Sequence, residues 1–87
     1  MISVKVLGPG CKNCERLELH ALQAVEQLQA DTPGLEVAVQ KVKDVAVFVD
    51  YGLLTTPGLV INEKLVASGR IPALDEIAGW MRQAAAA

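Results

Sequence analysis

Aromatic side chains are nearly missing from this chain, which has one Trp, one Tyr and one Phe in 87 residues. No aromatic is interleaved with Lys or Arg, no basic run occurs, and eight basic residues against ten acidic ones give a net charge of -2. Nucleic-acid binding, which calls for a concentrated positive face with stacking platforms, is not expected. Long apolar runs are missing too. No segment approaches the roughly 18 apolar residues of a spanning helix. The opening MISVKVLGPG lacks a charged start followed by a long apolar stretch. The expectation is a soluble, cytoplasmic protein without membrane contact. Histidine and cysteine are scarce, at one and two. A closed zinc site needs four ligands, so one chain does not supply it; two thiolates do suffice for Cu(I), and two chains could share a zinc.

What the chain has is aliphatic bulk. A hydrophobic share of 52%, nearly all Val, Leu, Ile and Ala, supports one domain over residues 1–87. Folding at this length buries about 60 to 65% of the unfolded surface. Stability does not call for a staple. Two closely spaced cysteines in a reducing cytosol then point to redox catalysis or metal binding before structure.

Along the chain, ISVKVL (2–7) carries apolar residues on both parities, as a central strand covered on both faces does. Pro9 and Gly10 stop it. From Cys11 to about Ala30 the period becomes helical: Cys14, Leu17, Ala21, Ala24, Val25 and Leu28 share one face, and Glu15, Arg16, His20, Gln23 and Gln27 the other. After the breakers Asp31 to Gly34, LEVAVQKV (35–42) alternates as a half-exposed edge strand does. Asp44 caps a short helix at Val45 to Asp50 that ends at Gly52. GLVI (58–61) and KLVAS (64–68) flank Asn62 and Glu63 as a hairpin. Glu63 stands where such turns favour Gly, so either its backbone is strained or the loop is longer. Pro72 fits the first turn of a last helix that buries Leu74, Ile77, Ala78 and Met81 with Trp80 at its flank, and residues 83–87 form a fraying tail. The order β-α-β-α-β-β-α predicts an α/β fold: a parallel pair from the first crossover, an antiparallel hairpin, and a four-stranded mixed sheet flanked by helices.

The cysteines of GPGCKNC (8–14) fall where the first strand meets the first helix. Unpaired N–H groups and the helix dipole favour a thiolate there. Lowering a thiol pKa from ~8.5 to ~7 takes about 2 kcal/mol and raises the thiolate fraction at pH 7 from a few per cent to about half. Cys11, beside Lys12, is the better placed nucleophile. Cys14 lies one turn in on the buried stripe and is the sheltered partner that resolves a mixed disulfide. Glu15 opposes the thiolate electrostatically.

With DYGLLTTPGLVIN (50–62) added, the chain resembles the thioredoxin superfamily, in particular small thioredoxin-like proteins of glutaredoxin size described as redox-active disulfide proteins. The resemblance runs from the first strand to the last helix. It implies the thioredoxin fold, a cis peptide bond before Pro57, which packs on the disulfide, and a Thr56 backbone that pairs with an extended substrate. It also implies that Gly69, in ASGRI, leaves the substrate room. The implied activity is dithiol-disulfide exchange through Cys11 and Cys14 without an organic cofactor. A disulfide-containing protein is then the substrate, and an upstream disulfide reductase the electron donor. The departures are specific. Gly10 precedes Cys11 where thioredoxins have Trp, and the interior pair is Lys12 and Asn13, so the reduction potential is not that of thioredoxins or glutaredoxins and these three residues are expected to tune it. The first strand has no acidic residue to accept the proton of Cys14. SGRIPALDE (68–76) lacks the glutathione-binding glycine pair and acidic residue of glutaredoxins; Arg70 or Lys12 remain to attract an anionic partner.

Competing readings follow from the same residues. A staple across four residues is worth roughly 1.9 kcal/mol, near the low end for disulfides. A Cu(I) or other soft-metal carrier also has a CxxC after its first strand, but that fold ends in a strand rather than a helix. A redox-inert module would use Thr56 and the cysteine loop only to dock a peptide. His20, on the polar face, is expected to be solvated, and Tyr51 to pack at a helix end.

Overall fold

A computed structural model of the protein describes residues 2–8, 12–53 and 55–86. The expected order is present: β1 (Ile2–Leu7), α1 (Lys12–Asp31), β2 (Val37–Val42), α2 (Val45–Asp50), β3 (Gly58–Ile61), β4 (Lys64–Ser68) and α3 (Leu74–Ala86). The strands form one sheet ordered β2-β1-β3-β4. Strand β1 pairs parallel with β2, and β3 runs antiparallel to both β1 and β4. Apolar side chains on both parities suit β1 to its central place, while the half-open pattern of β2 suits an edge.

Two apolar clusters explain the layering. On one face Val4, Val6, Leu59 and Ile61 meet Leu17, Ala21 and Leu28 of α1 and Ile77 and Met81 of α3. On the other face Leu7 and Val60 meet Phe48 of α2 and Leu53. All six residues of the predicted α1 stripe are buried. Asp44 caps α2, its carboxylate accepting from the Ala46 N–H at 2.9 Å. This exchanges an orphan donor for a charge-assisted bond, worth about 1 kcal/mol.

Several details differ from the sequence reading. Strand β2 starts at Val37; Leu35 lies outside it, and the Glu36 carbonyl accepts from Ile2 N–H at 2.9 Å. Helix α3 starts at Leu74, so Pro72 precedes the first turn and is buried in the approach to it. The backbone N–H of Ala73, at the cap, is satisfied by the Glu76 carboxylate at 3.3 Å. His20 is half-buried rather than solvated: its Nδ1 lies 3.1 Å from the Pro72 carbonyl, which only accepts, so the Nδ1–H tautomer ties α1 to the α3 approach. The β3–β4 turn is the two-residue form, with Asn62 at φ 50° and Glu63 at φ 68°. Left-handed geometry costs a residue with a Cβ about 1 kcal/mol. Finally, Leu59 pairs with Ala67 but Val60 with Leu65, a bulge at Val66. That extra residue lets Val66 and Ala67, neighbours in sequence, both serve the α1/α3 cluster.

Candidate functional site

Helix α1 begins at Lys12, so Cys14 is its third residue, inside the first turn where N–H groups lack intrahelical acceptors. Its side chain is 5% exposed and disulfide-bonded. Lys12 and Asn13 are exposed. Gly10 and Cys11, with the expectation that Cys11 caps the helix, lie outside the described residues.

The burial of Cys14 has a cause that the sequence did not signal. A Cβ built on Gly8 would fall on the Cys14 sulfur and within 3.0 Å of its Cβ. Only glycine therefore lets the end of β1 pass this close to the sulfur. The Gly8 N–H donates to the Val42 carbonyl at 3.0 Å, which extends the β1–β2 ladder one residue past the strand.

The sheet register organises the same end of the molecule. Val42 pairs with Leu7, Leu7 with Gly58 and Gly58 with Ser68. One residue beyond that row, towards the same end of the sheet, come Lys43, Gly8, Pro57 and Gly69. Pro57 is buried, Thr56 is exposed, and the bond between them is cis. Gly69 has φ 71° and donates its N–H to the Pro57 carbonyl at 2.9 Å. A Cβ there would meet Thr55 Cγ2 at 3.1 Å on top of the left-handed strain. The sequence-predicted residues Cys14, Pro57 and Gly69 thus lie on one end of the sheet and its adjoining helix.

Several charged side chains are committed to each other within the chain. The Lys5 ammonium donates to the Tyr51 hydroxyl and to Glu63 Oε1, each at 2.8 Å, and the Tyr51 hydroxyl donates to Glu63 Oε2. Tyr51 therefore does more than pack: it joins β1, the end of α2 and the hairpin turn. The Lys5 hydrogen bond holds Glu63 below the usual carboxylate range, and the Glu63 hydrogen bond raises Lys5 above its usual value. Arg70 forms a two-pronged contact with Glu76, at 3.3 and 3.0 Å, and its guanidinium lies 5.9 Å from the Trp80 ring centre. The Arg70 contact, then the Ala73 N–H, hold Glu76 below the usual range. Arg70 is thus paired within the chain.

Two clefts bear on the site. A small one of about 10 Å³, lined by Val6, Gly8, Cys14, Glu15, Lys41 and Lys43, reaches the buried cysteine. It has room for about one water. A larger one of about 440 Å³ lies between the β3–β4 hairpin and α3, lined in part by Asn62, Lys64 and Trp80, at the opposite end of the sheet. Among the described residues no group of three or more His, Cys, Asp or Glu could hold a metal ion, and no helix is long and apolar enough to cross a membrane.

Comparison with known proteins agrees with this arrangement. The family model described as "Thioredoxin domain" matches residues 2–82. A protein named thioredoxin from Methanothermobacter thermautotrophicus is 32% identical over 77 residues, covering 88% of this chain and 94% of the relative. Another of that name, from Methanocaldococcus jannaschii, is 30% identical over 77 residues, covering 88% of this chain and 83% of the relative. With the β-α-β-α-β-β-α order and the mixed sheet ordered β2-β1-β3-β4, these matches identify the chain as a member of the thioredoxin domain family.

Proposed function

We propose that this protein is a dithiol-disulfide oxidoreductase that reduces disulfides of protein substrates through Cys11 and Cys14. The observation that carries the reading is the state of Cys14: disulfide-bonded, 5% exposed, and in the first turn of α1. A sheltered sulfur at a helix start suits a resolving cysteine, which must act only after a mixed disulfide has formed next to it.

In the reduced protein the Cys11 thiolate attacks one sulfur of the substrate disulfide. A Cys11–substrate bond forms, and the other substrate sulfur leaves with the electron pair and takes up a proton. Cys14 then loses its proton and attacks Cys11. The internal disulfide forms, the second substrate sulfur leaves as thiolate and is protonated, and two electrons have passed to the substrate. An upstream disulfide reductase restores the dithiol. Thr56 offers its backbone to an extended substrate segment beside the buried Pro57, Gly69 leaves that segment room, and Gly10, Lys12 and Asn13 tune the potential.

Replacing Cys11 by Ser should abolish turnover, and replacing Cys14 by Ser should accumulate the mixed disulfide, visible by mass as a substrate adduct. A Cys14→Ser variant that turns over normally would defeat the proposal. A redox titration of metal-free protein against a dithiothreitol series should give a reversible two-electron transition within or near the range of about -270 to -120 mV spanned by thioredoxin-fold proteins. A tightly held stoichiometric metal that blocks alkylation would favour the soft-metal carrier instead.

A further inference from the structure

The small cleft against Cys14 is walled by charges that the exchange chemistry has not yet used. Val37 and Val39 put the odd-numbered residues of β2 on the α1 side of the sheet. Lys41 and Lys43 continue that parity beyond the apolar part of the strand and line the cleft with Val6, Gly8, Cys14 and Glu15. The two lysines differ in commitment. Lys41 Nζ is 3.5 Å from Glu18 Oε1, whereas Lys43 has no ion pair among the described residues.

The resolution step makes a negative sulfur in this place. Before it attacks Cys11, Cys14 must become a thiolate, and at 5% exposure little water is available to solvate that charge. The first turn of α1 supplies part of the compensation. Among the described residues, the charged groups lining the cleft are Glu15 from α1 and Lys41 and Lys43 from β2 and its end, with Val6 and Gly8 from β1 and its end.

Resting on the exchange reading above, we propose that Lys43 is the residue that stabilises the attacking thiolate of Cys14, with Lys41 held in a lesser role by Glu18 and Glu15 acting against both. Lys43 forms no bond in the reaction. It is a positioning charge: the proton leaves Cys14 through the cleft, which has room for about one water, and the electron pair left on sulfur lies beside an ammonium group while the Cys11–Cys14 bond forms and the substrate sulfur departs.

Removing one exposed charge from the lining of the same cleft should raise the Cys14 thiol pKa by about half a unit to one unit. The thiolate at neutral pH then falls about three- to tenfold, and because a more basic thiolate is a better nucleophile the resolution rate falls only about two- to fourfold.

The test uses full-length protein carrying Cys11→Ser, so that Cys14 is the sole thiol and its titration is read from alkylation rate against pH without any turnover. Lys43→Gln should raise the midpoint by that amount, Lys43→Arg should restore it, Lys41→Gln should raise it less, and Glu15→Gln should lower it. An unchanged midpoint in Lys43→Gln, or an Arg variant that behaves like Gln, overturns the proposal. The outcomes separate the two readings: a shifted midpoint with no substrate adduct in Cys14→Ser defeats the exchange function and leaves the charge assignment standing, and the reverse pattern does the opposite.

Discussion

Gly8 and Cys14 occupy what would be one side chain's space: the sulfur of Cys14 lies where a Cβ of residue 8 would project. The end of β1 and the first turn of α1 are therefore fitted to each other around a sulfur atom, six residues apart in sequence.

This contact predicts the effect of a single methyl group. Gly8→Ala should displace Cys14 or the strand end and destabilise the protein by about 1–3 kcal/mol, the range for overpacking a filled site. Urea unfolding of the oxidised protein checks the loss. Alkylation of the reduced variant should also find Cys14 more accessible than in the parent.

Gly69 should respond differently. Its φ of 71° and its distance of 3.1 Å from a built Cβ to Thr55 make Gly69→Ala strained by about 1 kcal/mol. Under the proposed function a side chain there also crowds the substrate, so KM for a protein disulfide should rise while the reduction potential against dithiothreitol stays put. A changed potential with an unchanged KM would remove Gly69 from the substrate site.

The Lys5–Tyr51–Glu63 group makes a prediction about acid. Glu63 is held below its ordinary 4.5 by the hydrogen bonds from Lys5 and Tyr51, so its contribution to stability is complete above that value and is lost as pH falls through the lowered one. Glu63→Gln keeps the side-chain length at the turn but removes this titration. Its urea midpoint should fall less steeply than the parent's below pH 4.5. Part of the slope will remain, because Glu76 is also held low. At the alkaline end the sign reverses: Lys5 is raised above 10.5, and its contribution, complete below that value, is lost as pH rises through the raised one.

Ile77 provides the contrasting case, fully buried on α3 within the α1/α3 cluster. Ile77→Ala should cost about 2–5 kcal/mol through lost burial and the cavity left behind. The potential of the cysteine pair should not move at temperatures where the variant is folded, since Ile77 is none of the residues proposed to carry the exchange.

Local chemistry was legible in the sequence and long-range contact was not. The α1 stripe from Cys14 to Leu28 follows a 3.6-residue period, and Asp44 announces the start of α2, because both depend on residues within a turn of each other. The central place of β1 was also readable, since only a strand covered on both faces keeps apolar residues on both parities. Gly8 carries no side chain, so nothing in its neighbourhood signals the sulfur above it. Glu63 looked misplaced in a tight turn because its partners, Lys5 and Tyr51, are 58 and 12 residues away. His20 looked solvated for a similar reason: Pro72, which accepts from it, is 52 residues away. The Val66 bulge left no mark because β4 is apolar on consecutive positions either way.

That bulge also bears on whether a second chain can add to the sheet. Both outer strands of the sheet have unpaired backbone groups, a template on which a second chain could add a strand. On β4 the extra residue at Val66 breaks the even spacing that such addition needs, and the end of β2 carries Gln40 and Lys41, with Lys43 just past it. A protein proposed to accept extended segments beside Thr56 thereby discourages them along both flanks, so that a visiting chain is held next to the sulfurs and can leave once it has reacted.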